Sequence, residues 1–201
     1  LNASFYLVPF HMILMIITLF QHFKITEDVQ EASRNSFFAI LVLQNIYGMM
    51  ISESLKKPSK KSKKSSGPDS GDYLYLSVAT VFTVASAIPL HLILVLLGAP
   101  IGSLTIETFY LSSHLSFLTT YPLLIAYKFT SPNAGKKWLR LLTFQVPEFY
   151  KNQIYMSVLG SLAGCWLGVM PIPLDWDRDW QAWPITLLVG GYFGSFVGGL
   201  L

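Results

Sequence analysis

Six long stretches of this chain carry no Asp, Glu, Lys or Arg: residues 1–23, 35–52, 73–106, 108–127, 152–174 and 180–201. About 20 residues rising 1.5 Å each cross a hydrocarbon layer of about 30 Å, and about 17 is near the lower limit. All six stretches clear it, with 35–52 the narrowest case. In lipid the backbone must satisfy its own hydrogen bonds, which makes each stretch a helix. The third is too long for one simple span, and its Gly98-Ala-Pro-Ile-Gly102 cluster reads as a tight turn that closes a helical hairpin. The expectation is an all-α, polytopic transmembrane bundle of about six helices, near residues 2–22, 36–51, 74–97, 103–127, 153–170 and 184–201. Residues 1–201 would then form a single integral membrane domain.

With six spans, alternate connectors face one side, so the basic residues test the topology. Lys56, Lys57, Lys60, Lys61, Lys63, Lys64, Lys128, Lys136, Lys137, Arg140 and Lys151, 11 of the 14 basic residues, fall in the second and fourth connectors. The first and fifth hold Lys24, Arg34 and Arg178 against Glu27, Asp28, Glu31, Asp175, Asp177 and Asp179. This asymmetry places both termini and the lysine-rich loops in the cytosol. The tryptophan-rich fifth connector and the glycine-proline turn would face the lumenal side.

The stretch 53–72 is rich in Lys, Ser, Gly and Pro and reads as a flexible basic loop, either setting topology or attracting anionic lipid. Residues 129–152 mix lysines with Trp138, Leu139, Leu141, Leu142, Phe144, Val146, Phe149 and Tyr150, a pattern suited to the cytosolic interface. Neither needs nucleic acid as a partner. The single cysteine, Cys165, excludes an internal disulfide and reads as a packed thiol. Because the chain starts at Leu1, its natural N-terminus is expected upstream, with the first helix as targeting signal.

Catalytic patterns are weak. Glu107 is the one full charge inside an expected helix, in its first turns, where the helix dipole favours a carboxylate. His114 lies seven residues on along the same face and His91 in the neighbouring helix. These side chains either hydrogen-bond between helices or make Glu107 and His114 the polar border of a lipid-accessible groove. Asp175, Asp177 and Asp179 have a calcium-loop spacing, but Trp180 and Thr186 stand where such a loop needs glycine and glutamate. The histidines at 11, 22, 91 and 114 have no metal-site spacing, and no nucleophile elbow or phosphate loop is present. No catalytic residue, metal or cofactor is expected.

Two other features point to helix contact. Gly160, Gly164 and Gly168 repeat every four residues, as do Gly190, Gly194 and Gly198, and each set lines one helix face. Such faces let backbones approach closely, either those of the last two helices or those of a partner protein. Between them lies Pro171-Ile-Pro-Leu-Asp-Trp-Asp-Arg-Asp-Trp-Gln-Ala-Trp-Pro184, with three of the five tryptophans. Its prolines make it a fixed turn, and its tryptophans suit headgroup depth. An anchoring belt accounts for Trp176, Trp180 and Trp183. It does not account for Asp175, Asp177 and Asp179 alternating around Arg178.

Pro171-Ile-Pro-Leu-Asp-Trp-Asp-Arg, with Trp180-Gln and Trp183-Pro-Ile185, resembles the C-terminal signature of the PIG-F family. Gly98-Ala-Pro100, Glu107-Thr-Phe109 and Trp166-Leu-Gly168 extend the likeness over roughly residues 98–201, while the first half is similar only in hydropathy and in its basic loop. The resemblance implies a noncatalytic multi-pass subunit of the endoplasmic reticulum membrane that stabilises ethanolamine phosphate transferases of GPI-anchor biosynthesis. Such a large multi-pass partner adds phosphoethanolamine to mannoses of the GPI precursor. Gly160, Gly164, Gly168, Gly190, Gly194 and Gly198 would then form docking faces with Asp175, Trp176, Asp177, Arg178, Trp180 and Trp183, among membrane lipids. Asp175, Asp177 and Arg178 would either fix the connector or bond the partner. The competing classes are a lipid transporter or scramblase, which Pro9, Pro89 and Pro122 keep open, and a membrane-embedded lipid-modifying enzyme acting alone.

Overall fold

The computed structural model describes residues 7–55 and 70–201. The first residues of the helix expected from residue 2, and most of the basic loop expected at 53–72, lie outside the described residues. Those described form seven α-helices and no strand: α1 (His11–Gln21), α2 (Val29–Ser54), α3 (Ser70–Leu96), α4 (Thr105–Ala126), α5 (Ala134–Leu142), α6 (Gln153–Leu167) and α7 (Ile185–Leu200). Short 3₁₀ turns occupy Phe149–Lys151 and Asp179–Gln181.

Local chemistry sets several boundaries. α2 starts seven residues before the uncharged stretch suggests, because the Asp28 carboxylate accepts from the Glu31 N–H at 2.8 Å and caps a charged first turn. Asn152 caps α6 the same way through the Tyr155 N–H at 3.2 Å. α6 ends at Leu167 ahead of Pro171 and Pro173, three residues short of the expected 170. By length and composition, α2 and residues 71–96 of α3 are long and apolar enough to cross a membrane; α1, α6 and α7 are apolar but shorter. α4 has the length, yet it carries Ser112, Ser113, His114, Ser116 and Thr119 at buried positions.

Those hydroxyls explain why α4 can be the central helix. Ser112, Ser116 and Thr119 each donate to a carbonyl three or four residues back at 2.8 Å, so each is satisfied without a partner helix. α4 packs against α2, α3, α6 and α7, and α1 packs on α7. α3 lies outside, with Leu74, Val81, Phe82, Ile88 and Leu96 exposed.

End-to-end contacts make α1 and α2, α3 and α4, and α6 and α7 antiparallel pairs. At one end Tyr47 donates to the Leu7 carbonyl at 2.6 Å, Tyr75 to the Leu124 carbonyl at 2.8 Å, and Lys128 pairs with Asp72 at 3.1 Å. The stretch 129–152, expected at an interface, contributes α5 at that end, where the Trp138 N–H donates to the Tyr127 carbonyl at 2.9 Å. The other end gathers the α1–α2 turn, the glycine-proline turn and the connector between α6 and α7, whose Trp183 N–H donates to Thr108 Oγ1 at 3.0 Å. At the glycine-proline turn Gly98 and Gly102 take φ of +103° and +98°, backbone that other residues rarely adopt.

Candidate functional site: a glycine-paired hairpin and its connector

α6 and α7 meet backbone to backbone. A methyl group built on Gly160 would collide with the Gly194 carbonyl, one on Gly164 with the Gly190 carbonyl, and one on Gly168 with the Thr186 carbonyl. The relation holds in reverse from Gly190 to Gly164, from Gly194 to Gly160, and from Gly198 to Met156. The pairing order makes the helices antiparallel. Both glycine stripes therefore face each other, which answers one question the sequence left open. Ser157 adds to the seam, donating to the Ser195 carbonyl at 2.9 Å and lying 2.8 Å from the Ser195 hydroxyl. Inside a bilayer apolar burial gives helices little reason to associate, so this dense contact and its Cα–H···O approaches take over that role.

Beside the seam the paired helices leave an apolar groove of about 1000 Å³. Its floor includes Gly160, Gly164, Gly190 and Gly194, and its walls include Ala163 and Val189. Phe20 of α1 and Trp180 of the connector also line it. Trp180 is shared with a second hollow of about 520 Å³ formed with Asp175, Trp176 and Arg178.

One side chain shapes the connector. The Gln181 amide donates to the carbonyls of Pro171 at 2.6 Å and Leu174 at 2.9 Å, while its oxygen accepts from the Arg178 N–H at 2.9 Å. Asp177 takes a positive φ of 46°, which aspartate tolerates better than most residues. Trp176 and Trp180 lie with ring centroids 5.8 Å apart. The side chains of Asp175, Asp177, Arg178 and Asp179 are exposed on this frame, and among the described residues no carboxylate pairs with Arg178.

Beneath the connector, His114 is 0% exposed. Its Nδ1 pairs with the Tyr192 hydroxyl of α7, and its Nε2 lies 3.0 Å from the Ser33 carbonyl of α2. Of the two roles the sequence leaves open, His114 takes interhelical hydrogen bonding, joining α4 to α2 and α7 in the core. Glu107 is half-buried, and its Oε2 has no hydrogen-bond partner among the described residues. His91 contacts the Phe109 ring at 6.0 Å, with its Nδ1 also unpartnered there.

A second polar junction escaped the sequence reading. Asn45 Oδ1 accepts from Thr80 at 2.9 Å and from Tyr121 at 3.1 Å, joining α2, α3 and α4. Gln44 donates to the Phe117 carbonyl at 2.9 Å. Gly48 makes room for the Tyr121 hydroxyl, which would lie 2.6 Å from an added methyl. The available signal was a pair of adjacent amides and a glycine inside an otherwise apolar stretch.

The profile of the GPI biosynthesis protein family Pig-F matches residues 7–201. Glycosylphosphatidylinositol anchor biosynthesis protein 11 of Debaryomyces hansenii is 40% identical over 202 residues, covering 100% of this chain and 83% of the relative. The Candida albicans protein of the same name is 36% identical over 216 residues, covering 100% and 80%. The human GPI ethanolamine phosphate transferase, stabilizing subunit, is 38% identical over 146 residues, covering 72% of this chain and 64% of the relative. No solved structure matches the chain.

Proposed function

The chain belongs to the Pig-F family of GPI biosynthesis proteins, and from that premise we propose that it is a noncatalytic membrane subunit of GPI-anchor biosynthesis that binds and stabilises an ethanolamine phosphate transferase. The likeness to the human stabilizing subunit across most of this chain carries the reading. It acts as one integral membrane domain of about six spans in the endoplasmic reticulum membrane, with α1, α2, α3, α4, α6 and α7 crossing. α5 lies at the cytosolic interface and the connector faces the lumen. Alternation of the helix ends and the basic-residue asymmetry support this orientation.

The α6–α7 hairpin is the docking element. Its glycines do their work inside the seam, giving the pair a fixed shape that carries the connector. The contacts with the transferase fall on the connector's exposed Asp175, Trp176, Asp177 and Arg178, with Trp180 and Trp183 behind them. Fixed by Gln181, this surface meets its partner without first losing the entropy of a free loop. The test is copurification of the transferase with Trp176→Ala and Asp177→Lys variants, each checked for its own thermal unfolding. Loss of the transferase from a folded variant is expected. A full yield with both changes combined would remove the connector from the interface.

A further inference from the structure

The apolar groove beside the α6–α7 seam reaches the connector. At the connector Trp180 lines the groove and also lines the hollow formed with Asp175, Trp176 and Arg178. At Trp180 an apolar groove thus adjoins an exposed hollow lined by one cation and one anion. We propose that these adjoining hollows bind one zwitterionic glycerophospholipid, with an acyl chain along the groove, the phosphate on Arg178 and the cationic headgroup amine on Asp175. The proposal rests on the reading above for the depth of the connector and deepens it, since headgroup and connector would meet the transferase as one surface.

Three observations choose this occupant. From Met156 to Leu167 the groove follows α6 over eleven residue-to-residue steps, about 17 Å at 1.5 Å each. One leaflet of a hydrocarbon layer about 30 Å thick is about 15 Å deep, so a single chain fits lengthwise. The floor is glycine and the walls are carbon, a lining that offers an alkyl chain contact and little else. The charges are the third. The Arg178 guanidinium has no ion-pair partner among the described residues, and its planar fork matches a phosphodiester. Asp175 shares its chamber and supplies the opposite charge for an amine. An anionic headgroup such as phosphatidylglycerol would satisfy Arg178 but offer Asp175 only neutral hydroxyls in place of a cation. A partner helix in the groove would leave the charged chamber unexplained.

The measurement is native mass spectrometry of the purified full-length chain in detergent, titrated separately with palmitoyl-oleoyl phosphatidylethanolamine and phosphatidylglycerol. The first is expected to be retained at one copy and at least about tenfold more strongly. Arg178→Ala should lower that retention about tenfold, and Asp175→Asn should erase the preference. Ala163→Trp, which fills the groove from its exposed wall, should abolish retention, with thermal unfolding of each variant confirming the fold. Equal retention of both lipids by the unaltered chain, or undiminished retention in folded Arg178→Ala or Ala163→Trp, would overturn the proposal. So would an Ala163→Trp variant that keeps its lipid yet no longer copurifies with the transferase, since the groove would then hold a partner helix. Lipid retention and copurification are read separately, so failure of this proposal is distinct from failure of the subunit reading.

Discussion

The two halves of this bundle solve one problem in opposite ways. Around α4 the helices are held apart by side chains and joined through polar groups, with Asn45 bridging Thr80 and Tyr121, and His114 bridging Ser33 and Tyr192. Between α6 and α7 side chains are nearly absent from the contact, and carbonyls meet glycine Cα atoms. Apolar surface alone holds neither half together when the surroundings are themselves apolar. A polar junction fails gradually, because water or another hydroxyl can replace one partner. A backbone seam fails abruptly, because no atom in it can move aside.

Substitution should expose that contrast, most strongly in the seam. Gly164→Ala places a methyl against the Gly190 carbonyl and 3.1 Å from the Gly194 Cα. It should destabilise by about 3 kcal/mol or more, read as a large drop in the thermal midpoint in detergent. A cost under about 1 kcal/mol would mean that the helices can part. Gly48→Ala is the matching change in the other half, but it meets a side chain, the hydroxyl and ring edge of Tyr121, in place of backbone. The expected loss is about 1–2 kcal/mol, and only part of it should return in the Gly48→Ala, Tyr121→Phe double variant, because Cε1 and Cζ of the ring stay at 2.8 and 3.0 Å from the added methyl. His114→Ala removes two bonds from the core and strands the Tyr192 hydroxyl, for about 1–2 kcal/mol. Asn45→Leu should cost less, about 0.6–1 kcal/mol, because Thr80 keeps its second bond to the Leu76 carbonyl at 2.9 Å. The exposed Arg34–Glu31 pair lies outside both systems, and Arg34→Ala should shift stability by no more than about 0.5 kcal/mol.

The same contrast accounts for what the sequence disclosed. Glycine at four-residue spacing announces a helix contact, and the stripes at 160–168 and 190–198 were legible as such before any fold was known. Which helix each stripe meets was not legible, because spacing fixes a face but not its neighbour. The helical hairpin at Gly98–Gly102 and the starts of α6 and α7 also followed from uncharged stretches and turn residues. α2 was underestimated because absence of charge marks what lipid tolerates, and a helix capped by Asp28 continues past that boundary. The partners of His114 were illegible for another reason. Its sequence position gives the face it occupies on α4, but Ser33 and Tyr192 lie 81 and 78 residues away, and only packing brings them to it.

The amide of Gln181 carries a consequence for how such a subunit can change partners. It grips backbone atoms at Pro171, Leu174 and Arg178 and ignores the side chains exposed around it. Shape and chemical message are thereby written by different residues. On the docking surface proposed above, reversing or erasing the charges at 175, 177 and 178 would rewrite the message on an unaltered template, so a new binding preference could arise there without a folding defect accompanying it.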